Sequence, residues 1–132
     1  MTRLAVAGAT GAMGELIVQA AEEDGFTVLP LSRSQGVDLL SAEGLDAKLE
    51  GVSAVIDASQ VVSPVAEDPV TPILKGAENL VAASRSAGVS RLVMLSINGV
   101  QDEGLRQFPF YDARCRQEEV LFSYTHLRAH ET

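Results

Sequence analysis

The chain has 132 residues, 46% hydrophobic and 21% charged, the balance of one globular domain with a modest core. Ten basic residues against 18 acidic ones leave a net charge of −8 with no offsetting basic patch, which argues against a nucleic-acid partner or an anionic membrane surface. The single cysteine, Cys115, excludes an intrachain disulfide and a cysteine-based zinc site and fits a cytoplasmic location, and no apolar run approaches the roughly 18 residues of a membrane helix.

Residues 3–8, RLAVAG, form a short apolar run closed by glycine and predict a buried strand. The opening MTRLAVAG reads as that strand and not as a signal peptide. Residues 11–24 follow as a helix, with Met13, Leu16, Ile17, Ala20 and Ala21 at helical spacing and Gly25 as its stop. FTVLPLS (26–32) predicts a second strand, in which Pro30 implies incomplete pairing. A short helix is expected over 41–51, with Ser41 as its cap, and a third strand over 53–59, SAVIDAS. Three prolines mark 61–72 as a loop. Thr71 and Pro72 then suit the N-cap and first position of a helix over 72–88, with Leu74, Ala77, Val81 and Ser84 on one face. A strand over 91–97, a polar loop over 98–109 and a last helix from Phe110 complete the pattern. Strands alternating with helices imply parallel βαβ units and an α/β fold with a doubly wound sheet. Ligands of such sheets bind beyond the carboxyl ends of the strands, which here carry Gly8, Ser32, Ala58, Ser59 and Ser96.

The strongest chemical signal is AGATGAMG, which sets Gly8, Gly11 and Gly14 at GxxGxxG spacing between a predicted strand and a predicted helix. Gly8 suits the tight turn out of the strand. Gly11 lets the backbone approach a pyrophosphate, and Gly14 lets the helix pack near the sheet. Free N–H groups and the helix dipole would attract the phosphates, and Thr10 adds a hydroxyl. No GK[ST] follows, which argues against a P-loop. An NAD site usually has an acid near the end of the second strand, about 20 residues on. Here that place reads LSRSQG, with no acid. Arg33, flanked by Ser32 and Ser34, could hold a 2′-phosphate instead, which predicts NADP(H) over NAD(H).

With these motifs in view, the chain resembles the atypical short-chain dehydrogenase/reductases of the NmrA-like NAD(P)-binding group. The resemblance rests on GATGAMG, SRSQGVDL, VIDAS, KGAENLVAASRSAGVSRLVMLS and FYDARCRQEE, and spans residues 3 to about 121. It implies a Rossmann-like doubly wound parallel sheet, of which this chain would be the N-terminal part. It also implies an NADP(H) or NAD(H) cofactor. Members reduce carbonyl, quinone or flavin-type substrates, and some sense the cofactor without turnover. By the resemblance, Gly8, Thr10, Gly11, Ala12 and Met13 would line the pyrophosphate and Arg33 would face the adenosine ribose. Asp38 would reach the adenine amino group, or serve as a turn aspartate. Ala58 and Ser59 would border the ribose and adenine, and Ser96 would be a catalytic or nicotinamide-side serine, or would simply cap its strand end. Asn79 would either face the cleft or be an ordinary polar helix residue.

Catalytic members carry Tyr-xxx-Lys, in which tyrosine donates a proton and lysine lowers its pKa. One alignment puts Phe110 and Arg114 at those positions; the other puts Tyr111 and Cys115 there. Neither restores the pair, so Ser96, Tyr111 and Arg114 stand as the candidates at the reacting end. Cys115 has arginines on both sides but no histidine within residues 1–122 to act as its base.

His126 and His130 sit at i, i+4 in the closing SYTHLRAHET. All ten residues equal a translated transposon-end sequencing adapter, TCT TAT ACA CAT CTC CGA GCC CAC GAG AC. The expectation is therefore an incomplete NAD(P)-binding domain over 1–122 and a non-native tail over 123–132, with no metal site. Little or no turnover is expected of this chain by itself.

Overall fold

A computed structural model of the chain describes residues 2–59, 70–95, 103–107 and 109–125. Four short strands form one parallel sheet: β1 (Arg3–Ala7), β2 (Thr27–Leu31), β3 (Ala54–Asp57) and β4 (Arg91–Met94), in the order β2-β1-β3-β4. Helix α1 (Ala12–Glu23) links β1 to β2, and α3 (Val70–Ala87) lies between β3 and β4. A four-residue helix, α2 (Leu45–Lys48), precedes β3, and α4 (Pro109–Thr125) follows β4. The chain moves one way from β1 to β2 and the other way from β1's second neighbour, β3, to β4. That reversal opens a crevice at the carboxyl ends of β1 and β3, where sheets of this Rossmann-like kind bind ligands.

β1 is an interior strand of the described sheet. Its residues Leu4–Ala7 are all buried, as expected for a parallel strand covered on both faces. Ala5 and Ala7 are small enough to let flanking elements close in. Larger side chains complete the core: Leu31, Val55, Leu80, and Leu45 and Leu49 from around α2. Pro30 is paired in register with Val6, and β2 lies on an outer side of the described sheet, where a residue without an N–H is tolerated.

Helix α1 is rotated relative to its expected face. Met13 and Leu16 are exposed, whereas Gly14 and Ala21 are buried and Ile17 and Val18 half-buried. These four share the i, i+3, i+4, i+7 stripe. Gly14 must face the backbone of the Gly8–Ala9 turn, and that requirement sets the rotation. The helix expected over 41–51 shrinks to α2, because Ala42 and Gly44 adopt left-handed backbone before it. Ser41 does not cap it; its hydroxyl donates to the Asp38 carbonyl and accepts from the Glu43 N–H. Helix α3 starts at Val70, so Thr71 and Pro72 lie inside its first turn, which proline tolerates because that N–H has no helical partner. Part of the expected polar loop, Glu103–Gln107, is a 3-10 helix. Helix α4 continues to Thr125, three residues past the expected end of the native segment. Among the described residues no helix is long and apolar enough to cross a membrane.

Candidate functional site

A cleft of about 400 Å³ opens at the crevice, lined by Gly8, Thr10, Gly11, Ala12, Met13, Leu31, Ser32, Arg33, Val37, Leu39, Ala58 and Ser59. Three strand ends thus meet in one cavity. The three glycines of the turn do different work. Gly8 has φ +75°, and a Cβ there would lie 2.6 Å from the Ala58 carbonyl oxygen and 2.7 Å from the Ser59 Cα. Its N–H donates to the Leu31 carbonyl (3.1 Å), tying the turn to the end of β2. A Cβ on Gly14 would come 1.8 Å from the Gly8 carbonyl oxygen, so the helix sits as close to the turn as a polypeptide can. Gly11 differs, because its Cβ would meet nothing nearer than 3.4 Å. Packing does not demand glycine there; open space above the cleft is what its missing side chain supplies.

Gly11 also precedes α1 and offers no side-chain cap. The first-turn N–H groups are therefore left for an anion, with the positive end of the helix dipole behind them. A diphosphate fits this cradle of glycine backbone, uncapped helix end and the Thr10 hydroxyl.

At the other end of the cleft, β2 runs into a 3-10 turn, Arg33–Gln35, closed by Gly36 in the left-handed region. Ser32 and Ser34 share a hydroxyl–hydroxyl hydrogen bond of 2.9 Å. Ser34 supports the turn and does not itself line the cleft, whereas Ser32 and the exposed Arg33 do. Among the described residues no lining residue is acidic. Lys48, not singled out in the sequence, donates to the Gln35 carbonyl (3.1 Å) and pins this turn to α2. Asp38 lies outside the lining; its Oδ1 accepts the Leu40 N–H at 2.9 Å, an Asx turn. Asn79 donates from α3 to the Leu39 and Leu40 carbonyls at 2.6 and 3.2 Å, which fixes Leu39 at the cleft wall.

The residues expected at the reacting end are distributed differently. Ser96 lies outside the described residues, as do His126 and His130. Tyr111 belongs to α4, but its side chain, like that of Phe110, lies outside the described set. Arg114 is buried and is not part of the cleft lining; its Nη1 donates to Gln117 Oε1 at 2.8 Å. Gln117 Nε2 in turn donates to Asp57 Oδ2 at 3.4 Å. Asp57 closes β3, is only 5% exposed, and accepts the N–H and the hydroxyl of Ser59 on Oδ1. Burial raises the Asp57 pKa, against the lowering effect of Ser59, the Arg114 charge and Gln117. The Arg114 pKa is lowered by burial and raised less by Asp57. An acid that ends an apolar strand between small residues, as in VIDAS, was the available signal for Asp57. The Cys115 Sγ faces Glu119 Oε1 at 3.9 Å, a carboxylate that disfavours a thiolate.

The model of the NAD(P)H-binding family matches residues 8–131. The chain belongs to the NAD(P)H-binding family. This NAD(P)H-binding chain is also 33% identical over 134 residues to the photosystem II assembly factor Ycf39 of Guillardia theta, covering 89% of this chain and 41% of that protein. It therefore spans less than half the length of that relative. A putative exported protein from Burkholderia pseudomallei superposes with a TM-score of 0.72 at 27% identity, over 96% of this chain and 69% of that one. A short-chain dehydrogenase/reductase superfamily protein from Agrobacterium tumefaciens, solved with bound NAD, gives a TM-score of 0.76 at 23% identity, over 96% and 46% of the two chains. The latter likeness is one of fold. Family and fold agree with the atypical, NmrA-like resemblance, and the cofactor class is a nicotinamide dinucleotide.

Proposed function

We propose that this chain is the cofactor-binding part of an NADP(H)-dependent oxidoreductase whose substrate is a small carbonyl, quinone or flavin-type molecule. The observation that carries the choice of NADP(H) is the β2 end of the cleft, where Arg33 and Ser32 line the wall and no described lining residue is acidic. An acid there would accept the ribose 2′-hydroxyl; a guanidinium complements a 2′-phosphate. Gly8, Thr10, Gly11, Ala12 and Met13 would hold the diphosphate, with Gly14 setting the helix that presents its N–H groups. Ser32 and Arg33 would hold the adenosine ribose phosphate, with Ser34 supporting their turn through the Ser32 hydroxyl and Asp38 shaping the adenine side through its Asx turn. Ala58 and Ser59 would form the opposite wall. The bound nicotinamide supplies hydride chemistry. Ser96 and Tyr111 would stand at the reacting end, and Arg114 would keep a positive charge behind them.

A second reading is an NADP(H)-sensing protein without turnover. It is favoured by the broken Tyr-xxx-Lys pattern and by the burial of Arg114 beside Gln117 and Asp57. The name of the Guillardia theta relative, an assembly factor, points the same way. Titration with NADPH and NADH by calorimetry tests the shared part. NADPH is expected to bind at least about tenfold more tightly; equal affinities would refute the NADP(H) assignment. A panel of quinones, flavins and carbonyls with a longer chain that continues past residue 122 separates the two readings, since a sensor binds NADPH and consumes none.

A further inference from the structure

Asp57, Gln117 and Arg114 make a connected buried chain, of which the cofactor reading uses only the charge of Arg114. Its two ends differ in location. At one end, Asp57 Oδ1 takes both donors of Ser59, a residue of the cleft wall. At the other, Arg114 and Gln117 are buried residues of α4, which contributes no residue to the cleft lining among those described. Ser59 is also wedged against the glycine turn, since a Cβ on Gly8 would fall 2.7 Å from its Cα. Hydrogen bonds thus connect α4 through Gln117 and Asp57 to Ser59, and Ser59 packs against Gly8.

The chain has a direction. A carboxylate only accepts hydrogen bonds and a guanidinium only donates them. Gln117 therefore has one workable amide orientation: Nε2 toward Asp57 and Oε1 toward Arg114, as observed. A neutral amide at position 57 would present donor to donor at one link or the other. Stability does not account for this arrangement, because a buried charge pair is often no more stabilising than an apolar replacement. What the relay supplies is one set position for the cleft wall.

We propose that the Asp57–Gln117–Arg114 relay couples dinucleotide binding to the docking of α4, with Asp57 a positioning residue for the Ala58–Ser59 wall. The coupling rests on the dinucleotide reading of the cleft. By linkage it runs both ways: the cofactor tightens α4, and whatever grips α4 changes cofactor affinity by the same factor. Helix α4 carries Tyr111, so occupancy of the cleft would order the helix on which the reacting end is built.

The test uses the 132-residue chain, NADPH titration and backbone hydrogen exchange over residues 109–125. In the unsubstituted protein NADPH is expected to slow exchange in α4. Asp57→Asn is expected to speed α4 exchange without cofactor, to weaken NADPH binding by about tenfold and to abolish the cofactor-dependent protection. Adding Arg114→Gln to Asp57→Asn restores a consistent donor–acceptor order and is expected to recover at least half of the lost affinity on a logarithmic scale. Gln117→Met, which leaves Ser59 bonded to Asp57, is expected to lose the α4 protection and to weaken NADPH binding by the same factor as that protection; it carries the test if Asp57→Asn does not fold. Binding of NADPH with no change in α4 exchange overturns the coupling alone. Losses in the double variant that simply add overturn the relay's polarity. Failure of the unsubstituted protein to bind either NADPH or NADH overturns the dinucleotide reading, and the coupling with it.

Discussion

Gly14→Ala isolates the physical demand of the glycine turn. On helix propensity alone the change would stabilise α1 by about 1 kcal/mol. The new Cβ, however, would sit 1.8 Å from the Gly8 carbonyl oxygen, 2.7 Å from its carbonyl carbon and 2.9 Å from the Ala9 Cα. The first of these is more than an ångström inside the 3.0 Å that real Cβ atoms keep. All three neighbours are backbone, so no rotamer change relieves the contact. Moving the Gly8 carbonyl also stretches the 3.0 Å bond it accepts from the Gly11 N–H. Overpacking of roughly 1–3 kcal/mol and a lost hydrogen bond of about 1 kcal/mol outweigh the propensity gain. The expected net destabilisation is about 1–3 kcal/mol, or a melting temperature lower by roughly 3–10 °C for a domain of this size. Thermal unfolding followed by circular dichroism measures it. Gly11→Ala is the control, because its Cβ meets nothing nearer than 3.4 Å. It should change stability by about 1 kcal/mol or less while weakening NADPH binding at least about tenfold. A melting temperature for Gly14→Ala equal to or above that of the unsubstituted protein would refute the reasoning.

Three further outcomes follow from other parts of the molecule. Arg33→Ala should weaken NADPH binding by roughly 10- to 150-fold, the loss of a charge-assisted contact worth about 1.5–3 kcal/mol, and leave NADH binding nearly unchanged; parallel calorimetric titrations read both. Ser84→Ala should raise stability by about 1 kcal/mol in urea unfolding, because the Ser84 hydroxyl is fully buried with no hydrogen-bond partner among the described residues. Asp57 should give a pH dependence of a definite sign. Burial raises its folded pKa above the ordinary 3.8, so the folded state holds that proton more tightly than the unfolded state. Its contribution to stability is then largest at low pH and declines as pH rises from about 4 through the raised folded value. Unfolding free energies across that range should therefore fall relative to those of Asp57→Asn; a difference that stays level or reverses contradicts the assignment.

The parts of the fold legible in the sequence are those written in local pattern. AGATGAMG announces a strand, a turn and a helix because each glycine answers a backbone requirement within a few residues. The helix over 72–88 is visible from its apolar period, and the structure lengthens it by only two residues at its start. Elsewhere tertiary context decides. The rotation of α1 comes from Gly14 packing on the Gly8–Ala9 turn, which overrides the more apolar stripe through Met13 and Leu16. The shortening of α2 comes from left-handed backbone at Ala42, a conformation few alanines adopt and no local pattern announces. In the site, Arg33 and the glycines stand out by type and spacing. The link from Asp57 to Gln117 spans 60 residues of sequence, and the one from Asn79 to Leu39 spans 40. Neither separation has a period or motif to mark it. Such contacts exist only once the sheet has brought its strand ends together.

The sheet order also bears on how the chain is made. β1 leaves the ribosome before both of its neighbours yet lies inside the sheet, with β2 on one side and β3 on the other. The unit from β1 through β2 is complete at Leu31, whereas the second edge of β1 finds its partner only when Asp57 has emerged. At about 5–20 residues per second that interval is roughly one to five seconds. Throughout it, the buried segment Leu4–Ala7 presents an open apolar edge to the cell, a surface of the kind that chaperones shield and aggregates use.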